Sequence, residues 1–458
     1  MNTFLHKTGN VNIIALFGLI ISVLLAWYAV QFPQIPFIII TLGAGLAIIA
    51  FVKPELGLLV LVFSMLLSPE ITLLKDPKHD LIIRLEDIFL IIVFAAWVAH
   101  TAINKHLIEA ADFPLRTPII GYTMICMIGT GLGIIRGELT IMRSFFYLLK
   151  YIEYFVLFFV AVNVIKKPSQ VKMYLWAGLI TCLIVTGYVY YTYVPVPGFR
   201  ATAPFEGLKS SEPASLGGYY LIVLSMLMGF ILNSKSLRLK ILLFIAFVII
   251  IPPFVFTQSR ASYFAFIPMM IFLLYMSKSW KALLTSCIIM LILIPVIMFS
   301  SLGTIIKQRV MFTFSPGGAS TYGNLQLEPS AATRVQSWKV SFTKWLPKHM
   351  FFGWGVTGVG LVDAQIPRIL GETGLLGFFF FLLLIISLWR YAQYSLQHVH
   401  DPAAQSFSLG FLGAFVGILI QSITTNTFII IRIMQPFWFL AALVILLPKI
   451  YPEAIHEQ

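Results

Sequence analysis

The chain is dominated by apolar runs of roughly 18 to 24 residues separated by short polar breaks, the length an α-helix needs to cross hydrocarbon. At 1.5 Å rise per residue each run covers the ~30 Å of a bilayer interior. The runs fall near 12–31, 34–52, 56–74, 86–104, 118–136, 141–165, 171–194, 214–233, 239–257, 260–276, 280–302, 369–389, 406–424 and 430–449. Composition agrees. Only 11% of residues are charged, against roughly 25% in soluble domains, and the mean hydropathy is +0.93. The expected fold is all-α, a polytopic transmembrane bundle of about 12–14 spans with both termini on one side.

A net charge of +13 would suit a nucleic-acid binder, but the basic residues are spread over short loops between apolar runs. With the amino terminus in the cytoplasm, Lys53, Lys105, Arg116, Lys166, Lys167, Lys172, Lys235, Arg238, Lys240, Lys278, Lys281, Arg390 and Lys449 all fall on the inner side, as such loops usually do. Cys126, Cys182 and Cys287 lie inside apolar runs and give neither a disulfide framework nor metal spacing. The first run lacks a small-residue cleavage pattern and is followed at once by another, so it reads as a retained helix.

This orientation gives the outer side two long segments, 194–213 and 303–367. The second is the longest polar stretch, where function is expected to concentrate. Within it, Ser330 to Phe342 shows helical spacing of apolar residues and reads as an amphipathic helix ending near Pro347. Pro316-Gly-Gly318 and Gly353-Trp-Gly355-Val-Thr-Gly358-Val-Gly360 read as flexible loops. The chain divides into 1–193, amino-terminal helices; 194–390, a core with the outer cap 303–367; and 391–458, carboxy-terminal helices.

Walker A, HExxH, GxSxG and dinucleotide fingerprints are absent, which excludes the familiar ATPase, zinc-protease and serine-hydrolase signatures. Arg200, Arg260, Arg309, Arg334, Arg368 and Arg432 gather on the outer side instead. Guanidinium forks suit a diphosphate at the bilayer surface, although arginines at span ends also anchor helices by reaching headgroups. Arg368 and Glu372 are four apart and should share a helical face, free to pair while one end meets substrate. Asp363 reads either as a base for an acceptor hydroxyl or as a cap for the following helix. Lys150 and Glu153 lie inside a span and read first as a structural ion pair; Arg84, Glu86 and Asp87 stand at another span entrance. His349 beside Lys348 reads as a surface residue.

The order of these pieces resembles the O-antigen polymerase and ligase superfamily, the Wzy-type polymerases and WaaL-type ligases. The matching features are Arg200 before Ser211-Glu-Pro213, Thr257-Gln-Ser-Arg260 opening a span, Arg334 and Trp338 ahead of Gly353-Trp-Gly355, and the closing Glu372-Thr-Gly-Leu-Leu-Gly377. The resemblance implies a GT-C-like glycosyltransferase of the bacterial inner membrane, its active site facing the periplasm and its termini in the cytoplasm. It implies an undecaprenyl-diphosphate-linked glycan donor, a glycan or lipid acceptor, membrane lipids and a chain-length regulator as partners, and neither metal, cofactor nor nucleic acid. Asp363, Arg334 and Glu372 would be catalytic, and Arg200, Arg260, Arg309, Arg368, Arg432 and Trp338 would hold diphosphate and glycan. Related ligases carry a histidine followed by asparagine about nine residues before that glutamate. Asp363-Ala364 stands there here, which tilts the expectation toward a polymerase. A ligase is the alternative, and a polysaccharide transporter or flippase the rival from another class.

Overall fold

The computed structural model describes residues 34–74, 81–103, 113–193, 200–206, 212–277, 301–311, 320–322, 325–327, 329–360 and 362–452. Its helices in chain order are α1 (Gln34–Val52), α2 (Pro54–Leu67), α3 (Leu85–Ile103), α4 (Arg116–Ile135), α5 (Ile141–Val164), α6 (Pro168–Tyr193), α7 (Pro213–Asn233), α8 (Leu237–Phe256), α9 (Arg260–Met276), α10 (Ser301–Met311), α11 (Pro329–Val340), α12 (Gln365–His398), α13 (Pro402–Ser422) and α14 (Ile431–Ile450). Among the described residues nine helices are long and apolar enough to cross a membrane, namely α3 to α8 and α12 to α14. Shorter apolar helices cover Gly43–Val52, Pro54–Leu67 and Arg260–Met276. The chain is thus a multi-pass membrane bundle; the run expected at 12–31 lies outside the described residues, as does that at 280–302 apart from its last two residues, which open α10.

One expected span is overturned. The run at 56–74 stops at Leu67, because Pro69 has no N–H to extend the helix and forces Ser68 into extended backbone (φ −90°, ψ 138°). Strand β1 (Glu70–Leu74) follows and pairs antiparallel with β2 (Leu81–Arg84), placing Glu70 opposite Arg84. A second hairpin joins β3 (Ser320–Tyr322) to β4 (Leu325–Leu327). The fold is helical, as expected, with two short hairpins added. The amphipathic segment forms as expected: α11 continues through a π-helical turn, Ser341–Trp345, to Lys348.

Helices α7, α13 and α14 form the centre, apolar on every side; 83% of the α14 span is buried, against 33% of α3 at the periphery. Small residues set the closest approach. A Cβ on Gly229 would sit 2.6 Å from Gly410 backbone atoms, and the Ser225 hydroxyl donates to the Gly410 carbonyl at 2.7 Å. Trp438 fills the junction with α5, packed among Tyr154, Phe155 and Phe158. Helices from the amino-terminal, middle and carboxy-terminal thirds interleave, so the expected divisions are stretches of one bundle.

Long-range bonds gather one set of helix ends. The Gln421 amide at the end of α13 donates to Ala214 at the start of α7 and to Ser262 at the start of α9. Gln365 at the start of α12 accepts from Phe428 N–H just before α14, and Ala201 N–H donates to Phe256 at the end of α8. Lys53, Lys166, Lys167, Lys172, Lys235, Arg238, Lys240 and Lys449 stand at or beside the opposite helix ends.

Candidate functional site

Helix α5 is the post on which two polar assemblies hang at the Gln421 end. Ser144 and Tyr151, seven residues apart and so on one face, turn toward Thr357 of the glycine-rich segment and Glu372 of α12. Lys150 and Glu153 turn toward α3 and α14.

The first assembly explains the Glu-x-Gly motif. Helix α12 is broken at Gly374, whose φ of 65° and ψ of −162° suit glycine alone. Backbone groups freed by the break are taken by the glycine-rich segment: Trp354 N–H donates to Gly371 O at 2.9 Å and Gly355 N–H to Glu372 O at 2.8 Å. In return Leu375 N–H donates to Met350 O and Leu376 N–H to Phe351 O. The segment expected to be a flexible loop is a fixed clip, because its Trp354 and Gly355 N–H groups, with the Met350 and Phe351 carbonyls just before it, repair bonds lost at the break. Gly129 and Gly133 of α4 make room for it, since a Cβ on either would lie 2.5–2.6 Å from the Phe352 or Trp354 carbonyl oxygen.

Glu372 fastens the clip with its side chain. Oε1 accepts from Thr357 N–H at 3.0 Å and from Arg368 Nε at 3.1 Å, and Oε2 accepts from the Tyr151 hydroxyl at 2.6 Å. Arg368 and Glu372 pair on one helical face as their spacing requires, but both are buried, 5% and 1% exposed, and turned into the protein. A carboxylate saturated in this way positions its neighbours, and Arg368, expected to hold substrate, is itself held by Glu372, expected to act on it. His349 is likewise no simple surface residue. Its ring meets Trp354 edge-on at 4.6 Å and its Nε2 lies 3.4 Å from Glu138.

The second assembly is a recess. Lys150 lies nine residues along α5 from Ile141, ~13 Å down the axis, yet it faces Asp87, only the third residue of α3. Helices α3 and α14 therefore begin well below the top of α5, and the β1–β2 hairpin stands over them. Arg84 pairs with Glu70 at 3.0 Å, and Arg432 lies 3.6 Å from Glu70 and 3.4 Å from Glu206 while donating to the Pro204 carbonyl at 3.0 Å. Lys150 pairs with Asp87 at 3.6 Å, whereas Glu153 takes a hydrogen bond from Gln435. The expected Lys150–Glu153 ion pair is replaced by partners on other helices, because α3 and α14 bring a carboxylate and an amide closer than the next turn of α5 does.

Burial shapes the electrostatics at the rim. Removal from water pushes the Glu206 carboxyl up to about 7, opposed by Arg432. Glu212 is raised for the same reason, with Arg84 and Arg432 opposing and Glu70 and Asp363 adding. Burial alone would lower the Arg84 guanidinium, but Glu86, Glu70 and Asp87 outweigh it and its pKa rises.

Asp363 is exposed, just ahead of α12, in the stretch that Asn426 and Phe428 hold beside the start of α14. The residue capping α12 is Ala364, without a side-chain bond, so Asp363 is no helix cap. Its backbone is held on both sides, Val362 O accepting from Asn426 and Gln365 Oε1 from Phe428 N–H at 3.0 Å. Arg200 and Arg260 stand at the neighbouring edge, where Ala201 is bonded to Phe256; Arg260 is buried in the first turn of α9. Arg334 and Trp338 ride on α11, whose end docks on α12 through Ser341 Oγ to Pro367 O at 3.4 Å, and Trp338 stacks on Phe342. The Arg309 side chain lies outside the described residues.

Tyr151, Glu70, Glu206, Gln435 and Thr357 escaped sequence reasoning. Each lacks a local motif, and each gains its role from a partner at least 14 residues away. Comparison with known proteins finds no family model that matches the chain and no curated protein sequence that matches it.

Proposed function

We propose that this chain is a membrane glycosyltransferase that extends a glycan carried on undecaprenyl diphosphate, with its site at the recess beside Asp363. One observation supports this most. Five stretches far apart in sequence, around Glu70–Arg84, Arg200–Glu206, Phe256–Arg260, Val362–Gln365 and Asn426–Arg432, meet at one end of the bundle through direct bonds. The same stretches carry the exposed Asp363 carboxylate and the guanidinium groups of Arg84, Arg200, Arg260 and Arg432, the kinds of group that transfer from a diphosphate uses. The acceptor hydroxyl attacks the anomeric carbon, its proton passes to Asp363, and the bond to the diphosphate oxygen breaks as arginines take up the charge on the leaving group. The bacterial inner membrane, with this recess facing the periplasm, is the location that the proposal requires.

Deleting the gene in its host and examining surface polysaccharide on gels tests the reading. Loss of polymer with single repeat units still attached to the acceptor marks a polymerase. Accumulated lipid-linked polymer marks a ligase. Unchanged length and attachment would sink both.

The interrupted α12 gives a transporter reading a foothold, because transporters use broken helices to hold substrate. Here the backbone groups on both sides of Gly374 are engaged by residues 350–355, which favours a scaffold over a substrate path.

A further inference from the structure

A cavity of about 370 Å³ lies at the lysine-bearing end of the bundle, away from the recess, walled by α2, α6, α7, α13 and α14 with Leu239 and Leu243 of α8 at its side. Helices α6 and α8 are fastened to each other near the Gln421 end, where the Tyr190 hydroxyl donates to Ile249 O at 2.9 Å and the Tyr193 and Phe256 rings stack at 3.8 Å. Toward Lys172 and Leu239 the cavity lies between them. Gly178 of α6 belongs to its wall, and a Cβ there would meet nothing within 4 Å.

The space suits hydrocarbon rather than water. It has room for about a dozen waters at ~30 Å³ each, and a buried water needs two to four polar partners. The Thr181 and Tyr174 hydroxyls in the wall are already given to the Ala177 and Glu55 carbonyls, both at 2.9 Å. Left empty, the cavity would forfeit the dispersion contacts of the side chains around it. It also reaches the lipid: Lys172 and Trp176, four apart on one face of α6, both line the cavity and are exposed, Trp176 at 47%. From Lys172 down to Thr181 the cavity follows α6 for nine residues, ~14 Å at helical rise and close to the ~15 Å of one leaflet's hydrocarbon.

The mouth is basic. Besides Lys172, Arg238 and Lys240 flank Leu239 in sequence, and Lys166 and Lys167 precede α6. Of the nearby acids Glu55 and Asp401, the latter is engaged as the cap of α13 through Ala403 and Ala404 N–H. A tryptophan and a lysine one turn apart are the residues that settle at headgroup level, and a cluster of lysine and arginine there attracts anionic headgroups.

We propose that this cavity is a binding site for an anionic phospholipid from the leaflet on the lysine-bearing side, one acyl chain inserted between α6 and α8 and the phosphate held at Lys172. The bound chain completes the packing of α7, α13 and α14, the centre of the bundle, from the end opposite the recess. The site stands whether or not the chain transfers glycans.

Native mass spectrometry and thermal unfolding of the delipidated full chain in detergent, titrated with phosphatidylglycerol or phosphatidylcholine, test this without any activity. The wild type should take up one phosphatidylglycerol ahead of phosphatidylcholine, and its thermal midpoint should rise with the former. Lys172→Glu should cut that preference by about tenfold. Gly178→Phe, which puts a ring into the cavity, should abolish both the bound lipid and the thermal shift while keeping or raising the lipid-free midpoint. Equal uptake of the two lipids by the wild type overturns the proposal. Phosphatidylglycerol bound undiminished by Gly178→Phe places the lipid elsewhere and overturns the cavity as its site. A lower lipid-free midpoint in Gly178→Phe means that the space is already filled by the protein, which also overturns it. Should Gly178→Phe fail to fold, the wild type and Lys172→Glu decide: no phosphatidylglycerol-dependent shift in the first, or an undiminished preference in the second, refutes the proposal.

Discussion

The Tyr151 hydroxyl donates to Glu372 Oε2 at 2.6 Å across 221 residues of sequence, tying the middle of α5 to the broken part of α12. Both groups are buried, and the same carboxylate holds Arg368 and the Thr357 backbone. The contact therefore links a membrane helix, an interrupted helix and the clip between them.

Tyr151→Phe should leave one oxygen of Glu372 buried without its donor and lower stability by ~1–3 kcal/mol. Glu372→Ala should do more, ~3–5 kcal/mol, because it strands the buried Arg368 guanidinium. Thermal midpoints in one detergent should fall in the order wild type, Tyr151→Phe, Glu372→Ala. Equal midpoints would mean the clip is held by other contacts.

Gly374→Ala should prevent folding. Its φ of 65° disfavours any side chain, and a Cβ there would lie 2.5 Å from the Phe351 carbonyl oxygen. Gly131→Ala, with nothing within 4 Å of the new methyl group, is the matched control and should be neutral or stabilising by ~0.5–1 kcal/mol. Size-exclusion profiles of fluorescent fusions would separate the two.

Glu206 predicts a pH dependence. Burial holds its carboxyl at about 7 in the fold, above the ordinary value of roughly 4.3 for a free glutamate. The folded state thus retains a proton that the unfolded state has lost. Its contribution is fully present below the unfolded pKa and disappears as pH rises through about 7. The thermal midpoint should decline across that window, and Glu206→Gln should flatten the decline. A midpoint equally steep in the variant would assign the effect elsewhere.

Asp363→Asn should be expressed and inserted normally, because the side chain is exposed and caps nothing. Under the proposed function, losing a base costs ~10²- to 10⁴-fold in transfer. Complementation of the deletion strain, read as polymer on gels, measures it. Wild-type polymer at matched expression would remove Asp363 from the chemistry.

Much of this architecture is legible in the runs of apolar residues, since a run long enough to span hydrocarbon has few other ways to satisfy its backbone. The helix running from Ser330 toward Pro347 and the Arg368–Glu372 pair also follow from local spacing, while the π turn within that helix does not. The β1–β2 hairpin was hidden, because Ile71–Leu74 is as apolar as a span and only Pro69 marks the change. The glycine-rich clip reads locally as a loose loop. Its rigidity comes from the break at Gly374, later in the chain but adjacent in space.

By itself the sequence determined that the chain lives in a membrane, where its helices run and which residues are charged, because hydrocarbon thickness and helical rise are fixed lengths. Tertiary structure alone decided the partners of those charges. Lys150 meets Asp87 rather than Glu153, Arg432 meets Glu70 and Glu206, and Glu372 meets Tyr151. Pairing of buried charge depends on distances of a few ångströms between helices far apart in the chain, and only packing fixes those.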